Sequence, residues 1–174
     1  MTQQARTTLV LGGARSGKSR HAQALAECMA PNRVFIATAQ AFDAEMRERI
    51  ARHQADRDAS WLTVEAPIDL AETILQHQDE SGVLLIDCLT LWLSNLLLAD
   101  QDVEPAVDAL VTAVQEATVP IILVSNEVGY GIVPDNALAR RFRDAAGQLN
   151  QRLSAICDAT VLVVAGNPLR IKPQ

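Results

Sequence analysis

Eight consecutive residues, Gly12-Gly13-Ala14-Arg15-Ser16-Gly17-Lys18-Ser19, fit the pattern G-x-x-x-x-G-K-[ST]. Such a stretch does chemistry when it joins a strand to a helix. Its glycines let the backbone curl so that successive N–H groups face a phosphate, and the helix N-terminus adds the positive end of its dipole. Lys18 then reaches the β- and γ-phosphates of a nucleotide, and Ser19 offers an oxygen to Mg²⁺. The flanks have the required character, with the apolar run Thr8-Leu9-Val10-Leu11 before the loop and a helical pattern from Lys18 onward. A glycine-rich β-to-α turn without a ligand is the plainer reading; four fixed positions in this context favour nucleotide binding.

A phosphate loop of this kind works with an acid at the end of a neighbouring strand, which holds Mg²⁺ directly or through water. Val83-Leu84-Leu85-Ile86-Asp87 ends on one, so Ser19 and Asp87 are the metal candidates. Capping of the helix that follows is the alternative role for Asp87. Further along, Met46, Ile50, His53 and Arg57 share one helix face. His53 lies where that apolar stripe turns polar, a place that presents an imidazole to a cleft; on periodicity alone a semi-buried or surface histidine is the simpler reading. His21 and His77 carry no comparable signal. Arg140, Arg141 and Arg143 with Arg152 are candidates for an anion clamp, against a simpler solvated face on which Arg140 and Asp144 pair at i, i+4.

These residues must be positioned by strands and helices that alternate along the chain, the pattern of a mostly parallel sheet covered by helices. Strands are expected at Thr7 to Gly12, Arg33 to Thr38, Val83 to Asp87, Val119 to Asn126 and Thr160 to Ala165. Weaker runs at Trp61 to Glu65 and Leu169 to Lys172 are expected at the sheet edges. Helices are expected at Lys18 to Ala30, Asp43 to about Asp58, Asp69 to His77, Leu89 to Ala99, Val103 to Ala117 and Asn136 to Asp158. The segment Leu89 to Leu98 is apolar nearly all round, so it is either buried or meets another subunit, with burial preferred. The architecture expected is a three-layer α/β fold of about seven strands.

Composition narrows the function. The 174 residues suit one domain, read as 1–174, with no internal repeat or low-complexity linker. Fifteen Lys and Arg against 21 Asp and Glu give a net charge of −6, which disfavours nucleic acid or an anionic membrane as partner. The most apolar segment is about half of the ~20 residues that span a bilayer, and the N-terminus lacks the apolar core of a secretory signal. Cys28, Cys88 and Cys157 are odd in number and far apart, without a metal clip or disulfide framework, so a cytoplasmic location is expected. A GTPase switch would carry an N-K-x-D element after a late strand. Here Asn126-Glu127-Val128-Gly129 lacks the Lys and Asp, and motor or transport ATPases bring additional domains. A small-molecule kinase or nucleotidyltransferase remains.

Several segments together resemble the bifunctional adenosylcobinamide kinase and adenosylcobinamide-phosphate guanylyltransferase family of cobalamin assembly. They are Gly12 to Arg20; Ile36-Ala37-Thr38-Ala39; Arg49-Ile50 with His53; Asn126-Glu127-Val128-Gly129 with Gly131-Ile132-Val133-Pro134; and Leu138-Ala139-Arg140 through Asp144 to Asn150-Gln151-Arg152-Leu153. The resemblance covers nearly the whole chain. It implies a RecA-like P-loop fold and two reactions: the γ-phosphate of ATP or GTP passes to the adenosylcobinamide hydroxyl, and GMP from GTP then joins adenosylcobinamide phosphate with release of pyrophosphate. It implies that the second reaction runs through a guanylylated histidine at the position of His53, beside which this chain has Arg52. It also implies nucleotide contacts at the phosphate loop, at Ala37, Thr38 and Ala39, at Gln54, Ala55, Asp56 and Arg57, and at Glu65 and Asp87. The Gln54 to Arg57 stretch departs from the family pattern. A homotrimer is implied as well, for which the Leu89 to Leu98 helix is one candidate interface. The alternative is a P-loop metabolite kinase without a covalent intermediate; a nucleotide-binding switch stands third.

Overall fold

A computed structural model of the chain describes residues 5–40, 57–79 and 81–173. The elements run β1 (Thr7–Gly12), α1 (Lys18–Met29), β2 (Arg33–Ala37), β3 (Trp61–Glu65), α2 (Leu70–His77), β4 (Val83–Asp87), α3 (Leu89–Leu98), α4 (Val103–Glu116), β5 (Ile121–Asn126), α5 (Ala137–Ile156), β6 (Ala159–Val164) and β7 (Asn167–Lys172). Seven strands form one sheet in the order β3-β2-β4-β5-β1-β6-β7. All pairs are parallel except β6 with β7. The two weakest runs in the sequence, β3 and β7, do lie at the edges. Pro168 is tolerated in β7 because an edge strand spares one of its N–H sides from the ladder.

Side chains alternate across each central strand, and both faces are buried. Leu9, Ile36, Leu84, Ile86, Ile121 and Leu123 meet residues of α2 to α5 on one face. Val10, Phe35, Leu85, Ile122 and Val124 meet Ala22 and Ala26 of α1 on the other. This division into three layers explains why the strands read as unbroken apolar runs. α1 stops because Ala30, forced toward extended backbone by the following Pro31, has φ −152° and ψ 153°. The cap of α5 is Asn136, whose side chain accepts from the Ala139 N–H at 3.1 Å.

α3 is spent mainly on internal packing: Leu89, Trp92, Leu93, Leu96 and Leu97 are buried, whereas Leu98 is 66% exposed. The Trp92 indole donates to the Ile68 carbonyl at 2.7 Å, so its polar atom is satisfied within the core. The expected helix from Asp43 falls outside the described residues except at its end, where Arg57 and Asp58 are already outside any helix. The Arg140–Asp144 pair does not form. Arg140 instead donates to the Pro134 and Asp135 carbonyls at 2.8 and 2.7 Å, while Asp144 pairs with Arg143 at 2.8 Å. A loop that folds back on the first turn of α5 offers Arg140 two fixed acceptors, which outcompete one mobile carboxylate. Arg152 engages Glu104 and Asp108, so this arginine run is largely committed to its own helix and neighbours.

No helix among the described residues is long and apolar enough to cross a membrane. All three cysteines are free thiols, with Cys28 exposed and Cys88 and Cys157 buried. Burial, reinforced by the Asp87 carboxylate, pushes the Cys88 thiol up to about 11. Burial likewise pushes Cys157 up to about 12, against the Lys172 ammonium. Since the thiolate is the reactive form, a thiol reagent at pH 8 is expected to modify Cys28 rapidly and the two buried cysteines only after denaturation. Three rapidly reacting thiols in the folded protein would contradict this packing.

Candidate active site at the C-terminal sheet edge

The parallel strands end together. In register, Glu65 of β3 lies beside Ala37 of β2, Ala37 beside Asp87 of β4, and Asn126 of β5 beside Gly12 of β1. The strand order puts β5 between the loop-bearing strand β1 and the acid-bearing strand β4. With strands about 4.8 Å apart, Gly12 and the end of β4 are separated by roughly 10 Å, a span suited to a polyphosphate. Asp87 lies opposite the strand residue Val124, and Asn126 is two residues beyond Val124. Val124 packs on the α1 face, so Asp87 and Asn126 point to the side where the phosphate loop enters α1.

The loop is held from several directions. The Ser16 N–H donates to the Gly13 carbonyl at 3.3 Å, and the Gly166 N–H, from the turn between β6 and β7, donates to the Ser16 carbonyl at 2.8 Å. A Cβ on Gly12 would stand 2.4 Å from Ser16 Oγ and 2.7 Å from the Val163 carbonyl oxygen, so no larger residue fits there. Gly17 caps α1 with φ 94°, a left-handed conformation open to glycine at little cost. Gly13, Ala14 and Arg15 remain exposed. α1 carries no acidic residue in its first turn, so nothing there offsets the attraction of its N-terminus for an anion. Lys18 is only 8% exposed, and its Nζ donates to the Gly13 carbonyl at 3.1 Å.

Asp87 is half-buried at the end of β4. The residue at the cap of α3 is Cys88, with no side-chain capping bond, so the capping role weighed for Asp87 is not the one the backbone gives it. Both Asp87 and Lys18 act electrostatically on the Cys88 thiol, in opposite senses; carboxylate and ammonium thus converge at this edge. Ser19 and Asp87 are hard oxygen donors suited to Mg²⁺. Among the described residues no group of three or more His, Cys, Asp or Glu side chains is gathered for a metal. That donor set fits Mg²⁺, which keeps waters and phosphate oxygens as ligands and is bound by few protein groups. Ser16 Oγ and Asn126 Oδ1 are buried at the same edge without a hydrogen-bond partner.

Thr38 is fully buried, and its hydroxyl is committed to the chain rather than to the cleft. Oγ1 donates to the Cys88 carbonyl at 2.7 Å and accepts from the Cys88 N–H at 2.9 Å. Asn95 holds the Thr38 carbonyl at 2.8 Å. This side chain therefore fixes the turn that presents Asp87. Thr38→Val is expected to leave the Cys88 N–H unpaired, while the Cys88 carbonyl keeps the Trp92 N–H at 3.2 Å, and to lower stability by about 1–3 kcal/mol, read from urea unfolding. An unchanged midpoint would contradict that role. Ala37 and Ala39 are half-buried beside the same turn, and Glu65 is exposed at the far edge. Arg57 sits on the sheet face, its guanidinium 3.7 Å from the Phe35 ring centroid and 3.4 Å from Thr63 Oγ1. His53, Gln54, Ala55 and Asp56 lie outside the described residues; Gln40, the last described residue before them, is two positions past Thr38.

Sequence reasoning passed over the Gly166 brace, for which a glycine between two apolar runs was the available signal. It also singled out the Asn126 to Gly129 segment without giving it a role. Asn150 of α5 donates to the Asn126 carbonyl at 3.2 Å and to Glu127 Oε1 at 3.5 Å.

The family model described as cobinamide kinase / cobinamide phosphate guanyltransferase matches residues 8–171. The bifunctional adenosylcobalamin biosynthesis protein CobP of Pseudomonas aeruginosa is 48% identical over 168 residues, covering 95% of this chain and 97% of that protein. Proteins of the same bifunctional description, CobU, from Salmonella typhimurium and Escherichia coli are 42% and 40% identical, each alignment covering 94% of this chain and 98% of the relative. Among solved structures, an ATPase from a bacterial type III secretion system superposes with a TM-score of 0.54 at 10% identity, over 90% of this chain and 50% of that one. At that identity the likeness speaks for the P-loop fold alone.

Proposed function

The chain belongs to the cobinamide kinase / cobinamide phosphate guanyltransferase family, and from that membership we propose that it performs both transfers at its single P-loop edge. It is a bifunctional transferase of cobalamin biosynthesis. In the first reaction the hydroxyl of adenosylcobinamide attacks the γ-phosphorus of ATP or GTP, and the nucleoside diphosphate leaves. In the second, GMP passes from GTP to adenosylcobinamide phosphate, giving adenosylcobinamide-GDP and pyrophosphate. The observation that carries this reading is the alignment of the phosphate loop, Lys18 and Asp87 along one sheet edge in a chain that matches the family from residue 8 to residue 171.

In each reaction negative charge develops on the phosphates that leave. The loop N–H groups and the buried Lys18 ammonium are fixed before the reaction, so they stabilise that charge without reorganising. Ser19 and Asp87 hold Mg²⁺, which when bound neutralises charge on the nucleotide phosphates. His53 is the nucleophile of the second reaction. In its neutral form the imidazole offers a ring nitrogen lone pair, which forms the N–P bond to the α-phosphorus as the bond to pyrophosphate breaks. An oxygen of adenosylcobinamide phosphate then takes the GMP and restores the histidine. The family match, which runs from residue 8 to residue 171 and so spans His53, supports this assignment. The further nucleotide contacts are at Ala37, Ala39, Glu65 and the Gln54 to Arg57 stretch. Residues 1–174 act as one catalytic domain, cytoplasmic and homotrimeric.

The test is incubation with adenosylcobinamide, GTP and Mg²⁺, with products separated over time. A phosphate ester should appear first, followed by the GDP adduct with one pyrophosphate per adduct. Accumulation of the phosphate ester alone at saturating GTP would favour a plain kinase.

A further inference from the structure

A hydroxyl acceptor carries a proton that must go somewhere, and none of the residues placed so far takes it. Three described carboxylates stand at or just past the C-terminal ends of parallel strands: Glu65, Asp87 and Glu127. Glu65 ends the edge strand β3, with β2, β4 and β5 between it and the phosphate loop. Asp87 is taken as a metal ligand. Glu127 follows β5, directly beside the loop, and its backbone N–H donates to the Gly12 carbonyl at 3.2 Å.

The surroundings of Glu127 position it. It is half-buried, and its Oε1 accepts from Asn150 Nδ2 at 3.5 Å. Asn150 is itself only 5% exposed and also holds the Asn126 carbonyl. On the other side the Asn126 N–H donates to Thr90 Oγ1 at 2.7 Å. The residue pair at the end of β5 is thus tied to β1, α3 and α5 at once, and the Glu127 carboxylate is anchored through one oxygen. Of the three carboxylates, Glu127 is the one that follows β5, the strand paired directly with loop-bearing β1 on one side and with β4 of Asp87 on the other.

We infer that Glu127 is the general base of the kinase reaction, an assignment that rests on the function proposed above. As the acceptor oxygen forms its bond to the γ-phosphorus and the bond to the β-phosphate oxygen breaks, the hydroxyl proton passes to Glu127 and is released to solvent after the products leave. The guanylyl reaction needs no such group. A neutral histidine attacks with a lone pair, and a phosphate monoester, with a second ionisation near about 6, is already an anion at pH 8.

The experiment measures the two transfers separately at pH 8, the second with adenosylcobinamide phosphate supplied directly. Glu127→Gln keeps the shape and an acceptor for Asn150. It should lower kcat of the kinase reaction by about 10²–10³-fold, with KM for GTP and for adenosylcobinamide, and the guanylylation rate, each within about threefold, a change too small to count as loss of a catalytic group. Glu127→Asp, which keeps a carboxylate but withdraws it, should fall between the two in kinase kcat, and serves as the test if the Gln variant does not fold. An unchanged kinase kcat, or a parallel fall in both transfers, overturns the assignment. Native enzyme that transfers neither group to the corrinoid would instead overturn the function on which it rests.

Discussion

Lys18→Ala is expected to abolish both transfers, each by on the order of a thousandfold or more, while the protein remains folded. The two reactions differ in which phosphorus is attacked, but both expel a phosphate-bearing leaving group from the same loop. The Lys18 ammonium is almost fully buried and already rests on the Gly13 carbonyl at 3.1 Å. It therefore meets developing charge in a water-poor setting where a fixed cation counts for far more than in solution. The fold should survive because Lys18 begins α1 rather than bridging the two cores, and alanine is a good helix former. Parallel rate assays with a thermal unfolding scan check this. Full activity in either transfer would remove the loop from that reaction.

His53→Ala has a split effect of similar size. Guanylyl transfer should fall by on the order of 10⁴-fold or more, as when a covalent nucleophile is removed from other enzymes, because the variant has no group to carry GMP between donor and acceptor. Phosphorylation of adenosylcobinamide should persist within a few-fold, since that transfer passes from donor to acceptor in one displacement. Separate assays of the two transfers distinguish this from a general defect. Equal loss of both in a folded variant would return His53 to a structural role. Taken with Glu127→Gln, which should show the opposite split, the pair of variants separates two half-reactions that share one phosphate site.

Much of this architecture was legible because its signals are local. β1, β3 and β4 occupy the spans expected, and each reads as a short apolar run bounded by turn residues. The phosphate loop declares itself for the same reason, since its glycines, lysine and serine act within eight residues of chain. Pro120 shortens β5 at its start, where the ring removes a ladder donor while its carbonyl still accepts from Leu84 at 2.9 Å. What remained hidden depends on partners far away in sequence. Thr38 ends an apolar strand next to the site, and nothing in its neighbours tells a hydroxyl aimed at a nucleotide from one held by Cys88, fifty residues on. Glu127 likewise gains its position from Asn150, twenty-three residues later. The Arg140 error came from treating a helix face in isolation, when the loop before it offered better acceptors.

The Asp87 presentation shows how these distant contacts bear on function. β4 needs only its apolar run to enter the sheet, but the turn after it is fixed by Thr38 from β2 and, through Thr38, by Asn95 of α3. The metal-holding role proposed for Asp87 would need its carboxylate held to within a fraction of an ångström, and a buried hydrogen-bond network holds the turn that presents it.

The central claim, one phosphate site serving two transfers with a covalent histidine in the second, is tested most directly by GTP labelled at the α-phosphate. The protein is incubated with labelled GTP and Mg²⁺ in the absence of corrinoid and then denatured, with native protein and His53→Ala side by side. The account predicts label on the native chain that survives base, is lost in acid as a phosphoramidate should be, and is absent from the variant. A native chain that binds GTP yet retains no label after denaturation would contradict it.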